Sequence, residues 1–238
     1  LAHYKEINSN NLLAYKGYLL EKFNPQTVNL RLQGMNKFLE FIKQDKLKMK
    51  FVKVQQKNFL ENVISNEDYK FLKTRLKNDG YEEWYFVVWF MTATGARVSE
   101  LLQIKAEHIT AGHLDIYTKG GKIRRLYIPQ ILKNEAVVWL RSKGISSGYI
   151  FLNRFGKRIT TRGIAQQLKH FADKYGLKRE VVYPHSFRHR FAKNFLDRFN
   201  DIALLADLMG HESIETTRIY LRRTATEQRA IVDKVVTW

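Results

Sequence analysis

The sequence predicts a mainly α-helical protein with a small antiparallel β-sheet, organised as two domains. Three observations carry this expectation. Apolar residues recur at helical spacing through most of the chain, two short strand-like runs flank Gly120-Gly121, and a weakly periodic run of lysines separates an N-terminal helical segment from the rest. The 238 residues suffice for two small domains or one large one, and a 45% hydrophobic, 13% aromatic composition can fill a core.

Taken in order, Leu12, Leu13, Tyr15, Leu19, Leu20 and Phe23 mark an amphipathic helix over 11–23, closed by the Asn24-Pro25 breaker. Thr27 is the expected cap of a second helix, whose stripe is Val28, Leu32, Met35, Leu39 and Ile42, with Arg31, Lys37 and Lys43 off the stripe. Lys46, Lys48, Lys50, Lys53 and Lys57 then crowd 44–58, which reads as a basic linker. The domains are accordingly expected at 1–51 and 61–238, joined by 52–60. Asn66 is placed as the cap of a helix through Leu76, and 81–91 is apolar on every side, as in a buried helix ending at Gly95. A helix start with Val98, Leu101, Leu102 and Ile104 buried comes next. Strands at 114–119 and 122–128 meet in a tight turn at the paired glycines. Helices return at 132–142, 161–175, 186–199, 202–209 and 214–222. A tail over 221–238 pairs a capping box, Thr224 to Glu227, with an apolar side of Ile231, Val232, Val235, Val236 and Trp238.

Charge narrows the partners. Lys and Arg number 41 against 23 Asp and Glu, a formal +18 that attracts a polyanion: nucleic acid first, an anionic membrane second. The longest apolar stretch, Trp84 to Met91, is too short to span a bilayer, so no membrane partner is expected. With no Cys, disulfides, thiolate nucleophiles and Cys-ligated zinc are excluded, and the seven His form no metal-binding pair with nearby acids. Any phosphoryl chemistry is expected to run without metal. The sequence opens at Leu1 without Met and shows no signal peptide, so its start is read as a processing boundary.

Four segments supply chemically complementary groups. In Ala93-Thr-Gly-Ala-Arg97-Val-Ser-Glu100, Arg97 enters a helix with Glu100 three residues on as its orienter; alone, this is an ordinary helix pair. The hairpin turn carries Lys119 and Lys122, which alone read as solvated turn lysines. Pro184-His185-Ser-Phe-Arg188-His189 offers an imidazole and a guanidinium at i and i+3, beside a different edge of Phe187, Phe191 and Phe195. In the fourth segment Gly210 ends a helix, His211 occupies the turn, Ser213 caps the next helix, and Tyr220 sits about two turns into it. A tyrosine so placed is usually core, and it gains meaning only with the other three segments.

In order and spacing these residues resemble the tyrosine recombinases, the family of the bacterial Xer proteins and of phage and conjugative-transposon integrases. The matching segments are Ala93 to Glu100, Lys119 to Lys122, His185 to His189, Met209 to His211, and Tyr220 nine residues after His211. Phe187 stands where Leu is usual, Thr118 where Gly precedes the hairpin Lys, and Leu221-Arg222 where Thr-His is common. The resemblance implies a two-domain clamp on double-stranded DNA, with the N-terminal helices as a core-binding domain. It implies a 3′-phosphotyrosine intermediate formed by Tyr220, without ATP or any other cofactor.

On this basis Arg97 and Arg188 are expected on the non-bridging phosphate oxygens, because guanidinium groups bind phosphate bidentately, and Lys119 as the acid for the leaving 5′ oxygen. His185 is expected to take the Tyr220 proton and His211 to hydrogen-bond the phosphate, roles that are interchangeable at this level. Arg31, Lys37, Lys48, Lys53 and Lys122 are candidate DNA contacts. The resemblance further implies a tetramer on two DNA sites with the tail passed between protomers, accessory DNA-bending proteins, and a cytoplasmic, DNA-associated location in a prokaryotic cell or mobile element. The rival readings are a type IB topoisomerase and a catalytically silent DNA-binding regulator.

Overall fold

The computed structural model describes residues 6–54, 62–117, 123–221, 229 and 232–236. The chain divides into two compact units, Leu1–Lys57 and Asn58–Trp238, a division that falls inside the expected linker 52–60.

The first unit pairs helices α1 (Ser9–Lys22) and α2 (Pro25–Phe41). Asn8 and Asn24 cap them, their side chains accepting from the backbone N–H groups of Asn11 and Thr27 at 3.0 and 2.9 Å. The Asn24-Pro25 step thus starts α2 as well as ending α1, since Pro at the first helical position gives up only an N–H that has no partner there. Thr27, the expected cap, is already inside the helix. Leu12, Leu19, Val28, Leu32 and Leu39 form the core.

The lysine-rich stretch departs from the sequence expectation. Through Val54 it is not a free linker but a strap laid along the helices. Asp45–Leu47 makes a 3-10 turn, Met49 is buried, and the side-chain amides of Asn36 and Asn29 each exchange two hydrogen bonds with the backbone of Met49 and Val52, at 2.8 to 2.9 Å. A side-chain amide can replace a missing ladder partner, and hydrophobic periodicity carries no trace of it.

In the second unit α3 (Asn66–Asn78), capped by Ser65 rather than Asn66, precedes α4 (Glu82–Thr94), which is buried on nearly every side. Its aromatic residues interlock with later elements: Phe86 stacks on Trp139 at 4.4 Å between ring centroids and Phe90 meets Phe151 edge-on. Phe90 is fully buried, so its truncation to Ala would cost about 3–5 kcal/mol. Short helices α5 (Val98–Leu101) and α6 (Ala106–Ala111) lead to the antiparallel pair β1 (His113–Tyr117) and β2 (Ile123–Tyr127), in register from His113 opposite Tyr127 to Tyr117 opposite Ile123. The turn between them, with Lys119 and Lys122, lies outside the described residues.

Helices α7 (Gln130–Ser142), α8 (Thr161–Lys174), α9 (Pro184–Arg198), α10 (Ile202–Met209) and α11 (Ile214–Arg218) follow. Tyr220 belongs to a 3-10 turn, Ile219–Leu221, so the helix expected over 214–222 is α-helical only through Arg218; Arg222 lies outside the described residues. The tighter winding lets the consecutive residues Ile219 and Tyr220 both pack on the cluster of Ala192, Leu196, Leu205 and Met209. In the tail the capping box, Ile231 and Trp238 lie outside the described residues, while Val232, Val235 and Val236 are exposed. Among the described residues no helix is long and apolar enough to cross a membrane.

Candidate active site

The second unit gathers its polar groups where α9 passes the end of α4. Gly95 ends α4 with φ of 64°, and a Cβ there would come 2.4 Å from the Phe191 ring of α9. Only Gly allows both the left-handed turn and this approach. The turn exposes the Gly95 carbonyl to Arg188, whose Nη1 donates to it at 2.6 Å. Arg188 Nη2 donates to the Met209 carbonyl at 2.7 Å and meets His211 Nε2 at 3.1 Å, so one buried guanidinium ties together the ends of α4, α9 and α10. Ile64 N–H donates to the buried Ser186 hydroxyl at 2.7 Å, and Arg190 donates to the Ile64 carbonyl, which fixes α9 against the residues before α3.

Glu100 is the centre of charge. Its carboxylate accepts from Arg97 N–H at 2.7 Å, Arg97 Nη1 at 2.8 Å and Arg124 Nη1 at 2.7 Å, with Arg188 Nη1 at 3.8 Å. Burial alone would raise its pKa, but Arg124 and the Arg97 hydrogen bonds outweigh burial and hold it below the usual carboxylate range. Arg97 Nη2 reaches the Gly210 carbonyl at 3.2 Å, and its side chain remains 37% exposed, open to a ligand. Three guanidinium groups around one carboxylate leave a net positive site, and burial, then Arg97 and Arg124, draw the Arg188 pKa down to about 10.

Tyr220 is buried with its hydroxyl 2.9 Å from His189 Nδ1. Its ring lies nearly parallel to that of His211, 6.4 Å away, while His211 Nδ1 meets the Thr217 hydroxyl at 2.8 Å. Burial raises the Tyr220 pKa to about 12, against the pull of Arg188 and Arg97. Burial, assisted by neighbouring positive charge, lowers His189 and His211 each to about 4. Near neutral pH the phenol therefore keeps its proton and faces a neutral imidazole, whose Nδ1 accepts a hydrogen bond from it in the tautomer protonated on Nε2.

Arg97, Glu100, Arg188, His211 and Tyr220 are thus brought together, as their types and spacing suggest. His185 is not the imidazole on Tyr220: it lies in the first turn of α9 with much of its surface exposed, its ring edge-on to His189 at 6.2 Å, and partial desolvation of the ring, then Arg188, lowers its pKa. His189, one turn further along, holds that place. It was visible in the His185-to-His189 motif without a role, because spacing gives two candidate rings on one helix and only packing selects between them. Arg124 was also missed. A period-2 reading of Arg124, Leu126 and Ile128 would have placed it on the buried face of β2.

Among the candidate DNA contacts of the first unit, Arg31 is exposed over the Phe23 ring, Lys37 and Lys48 share Glu40 at 3.2 Å each, and Lys53 is exposed. Beside the site, a cavity of about 880 Å³ is lined by Arg97, Arg124, Leu208, Gly210, His211 and Thr216, among others.

A family model described as the phage integrase family matches residues 60–227. The chain is 31% identical over 230 residues to tyrosine recombinase XerA of Pyrococcus furiosus, covering 93% of this chain and 77% of that protein. It is 32% identical over 149 residues to tyrosine recombinase XerC of Pseudomonas entomophila, covering 59% of this chain but only 48% of the relative. In fold it is similar to the XerH site-specific recombinase bound to palindromic difH substrate, with a TM-score of 0.73, 21% identity and coverage of 97% and 73%. A buried tyrosine facing an imidazole beside paired guanidinium groups, the matched family model and the nearly full-length likeness to XerA agree, and the chain belongs to the phage integrase family of tyrosine recombinases.

Proposed function

We propose that this tyrosine site-specific recombinase cleaves duplex DNA by attack of the Tyr220 oxygen on a phosphodiester. The new bond joins that oxygen to phosphorus, the bond from phosphorus to the 5′ oxygen breaks, and the products are a 3′-phosphotyrosine and a 5′ hydroxyl. The observation that carries this reading is the 2.9 Å contact between Tyr220 and His189, beside the Arg97 and Arg188 pair. His189 takes the phenolic proton. Arg97 and Arg188 neutralise the non-bridging oxygens as charge develops, held by Glu100, the Gly95 carbonyl and the Met209 carbonyl. His211 hydrogen-bonds the phosphate, and the exposed His185 is available to it as well. Lys119 delivers a proton to the leaving oxygen. The phosphotyrosine keeps the energy of the broken diester, so a 5′ hydroxyl from a second strand reverses the step with no cofactor and no metal.

Phosphate contacts from the basic residues supply affinity for double-stranded DNA. The relative XerH is bound to its difH substrate, which supports DNA as the partner here. A tetramer on two sites exchanges strands, aided by accessory DNA-bending proteins, in the cytoplasm of a prokaryotic cell or on behalf of a mobile element. The exposed Val232, Val235 and Val236 support a tail offered to a neighbouring protomer.

The test is covalent trapping on nicked target DNA. Tyr220→Phe is expected to form no adduct on a denaturing gel while binding DNA as before, because one oxygen is lost from a ring whose packing survives. A persisting adduct would show that another residue attacks. Relaxation of a plasmid lacking any target site would instead favour a topoisomerase.

A further inference from the structure

Adjacent arginines of β2 have opposite fates. Arg125 pairs across the hairpin with Asp115 at 2.7 Å on the exposed face, while Arg124 turns inward and is only 6% exposed. From there Arg124 Nη1 donates to Glu100 Oε1 at 2.7 Å and Nε donates to the Leu208 carbonyl at 2.8 Å. Its Cδ lies so close to Gly210 that a Cβ there would come within 2.3 Å, at a residue already in the left-handed region with φ of 61°. One side chain therefore touches the acid that orients Arg97, the end of α10, and the turn that presents His211.

As a stabilising device Arg124 is a poor choice. Its Nη2 is buried with no hydrogen-bond partner among the described residues, and burial pulls its pKa down against Glu100. A buried ion of this kind returns little net stability, and well-packed apolar residues often do as well. Its geometry suits another task, because a planar guanidinium fixes two acceptors in one rigid fork and a lysine does not.

We propose that Arg124 is a positioning residue for the recombination chemistry: by clamping Glu100 to the Leu208 carbonyl and packing against Gly210, it sets Arg97 and His211 in phosphate-ready geometry and ties them to β2. The proposal rests on the functional reading above.

Four variants test it: Arg124→Lys, Arg124→Met, Glu100→Gln and the double variant Arg124→Met with Glu100→Gln, with Arg125→Met as a control on the outer face of the same strand. Single-turnover adduct formation on nicked DNA is measured beside the thermal unfolding midpoint. Both Arg124 variants are expected to slow cleavage about 10²-fold, the penalty of a misplacement near 1 Å; Arg124→Met, which takes one buried partner from Glu100, should also lower the unfolding midpoint, whereas Arg124→Lys, which keeps the charge, should leave it close to that of the unaltered protein. Arg125→Met is expected to be silent. Adding Arg124→Met to Glu100→Gln should slow cleavage little further, since both act through one clamp. An Arg124→Lys rate equal to that of the unaltered protein, or losses that multiply in the double variant, would overturn the proposal. So would losses that track unfolding alone.

A second measurement needs no turnover. Inorganic phosphate should raise the unfolding midpoint of the unaltered protein more than that of Arg124→Lys; equal rises overturn the clamp. If the unaltered protein forms no Tyr220-dependent adduct, the functional reading fails, and the phosphate comparison still judges Arg124.

Discussion

Lys37 in the first unit is 73% exposed and shares Glu40 with Lys48 at 3.2 Å, while Arg188 in the second unit is 4% exposed and spends its nitrogens on two backbone carbonyls and an imidazole. The two regions carry the same sign of charge under opposite physics. An exposed ammonium in high dielectric gains little from any one neighbour, is screened by salt and can follow a moving phosphate. A buried guanidinium is costly to place, so it persists only where surrounding acceptors determine its position completely, and that position is then available to chemistry without reorganisation. Charge that attracts DNA need not be fixed; charge that meets a transition state must be.

The sharpest way to break this comparison is Arg188→Ala. It strips the Gly95 and Met209 carbonyls of their donor, so stability should fall by about 1–3 kcal/mol for each carbonyl left unsatisfied, read in denaturant unfolding. Cleavage by the fraction still folded should fall by at least about 10²–10³-fold. Full stability and rate would mean that the buried site is no more determined than the surface.

His189→Gln keeps a polar group near Tyr220 but removes the base, and single-turnover cleavage should drop about 10²–10⁴-fold. With His189 held near 4, the acid limb of cleavage by the unaltered protein should lie below the ordinary histidine pKa of about 6.5. A limb at or above that value would point to another base.

The same depressed values have a stability consequence. His189 and His211 bind protons less readily in the folded chain than in the unfolded one, so between about pH 6.5 and about 4 the unfolded state holds more protons. Stability should therefore decline as pH falls through that window, and the unfolding midpoint measured across it should decline less in His189→Gln. A slope unchanged by that substitution would contradict the burial of this imidazole in neutral form.

The smallest effect belongs to the exposed region. Arg31→Ala and Lys53→Ala should each weaken DNA binding uniformly across sequences and lower the salt slope by about 1, with cleavage of bound DNA unchanged. Loss of discrimination between sites would show base reading instead.

Much of this molecule follows from local chemistry that sequence displays directly. The stripes of α1, α2 and α8, the all-apolar α4 and the paired strands all follow from periodicity, because a helix or strand must present its apolar residues to one side. Gly95 and Gly210 punctuate where a left-handed residue is required, and the order of Arg97, Arg188, His211 and Tyr220 was sufficient to suggest the chemistry.

Tertiary structure alone decided the rest, and in each case the partner is remote in sequence. Whether His185 or His189 faces Tyr220 depends on how a 3-10 turn docks on α9, thirty-one residues away from His189. The strap from Gln44 to Val54 depends on two asparagines of α2 that spacing cannot distinguish from solvated ones. The strand period puts Arg124 on the inner face of β2, but its partners, Glu100, the Leu208 carbonyl and Gly210, are set only when the chain closes around it. Sequence states which side a residue faces when the period is clear; which buried polar group meets which is settled only when distant segments must satisfy one another in the absence of water.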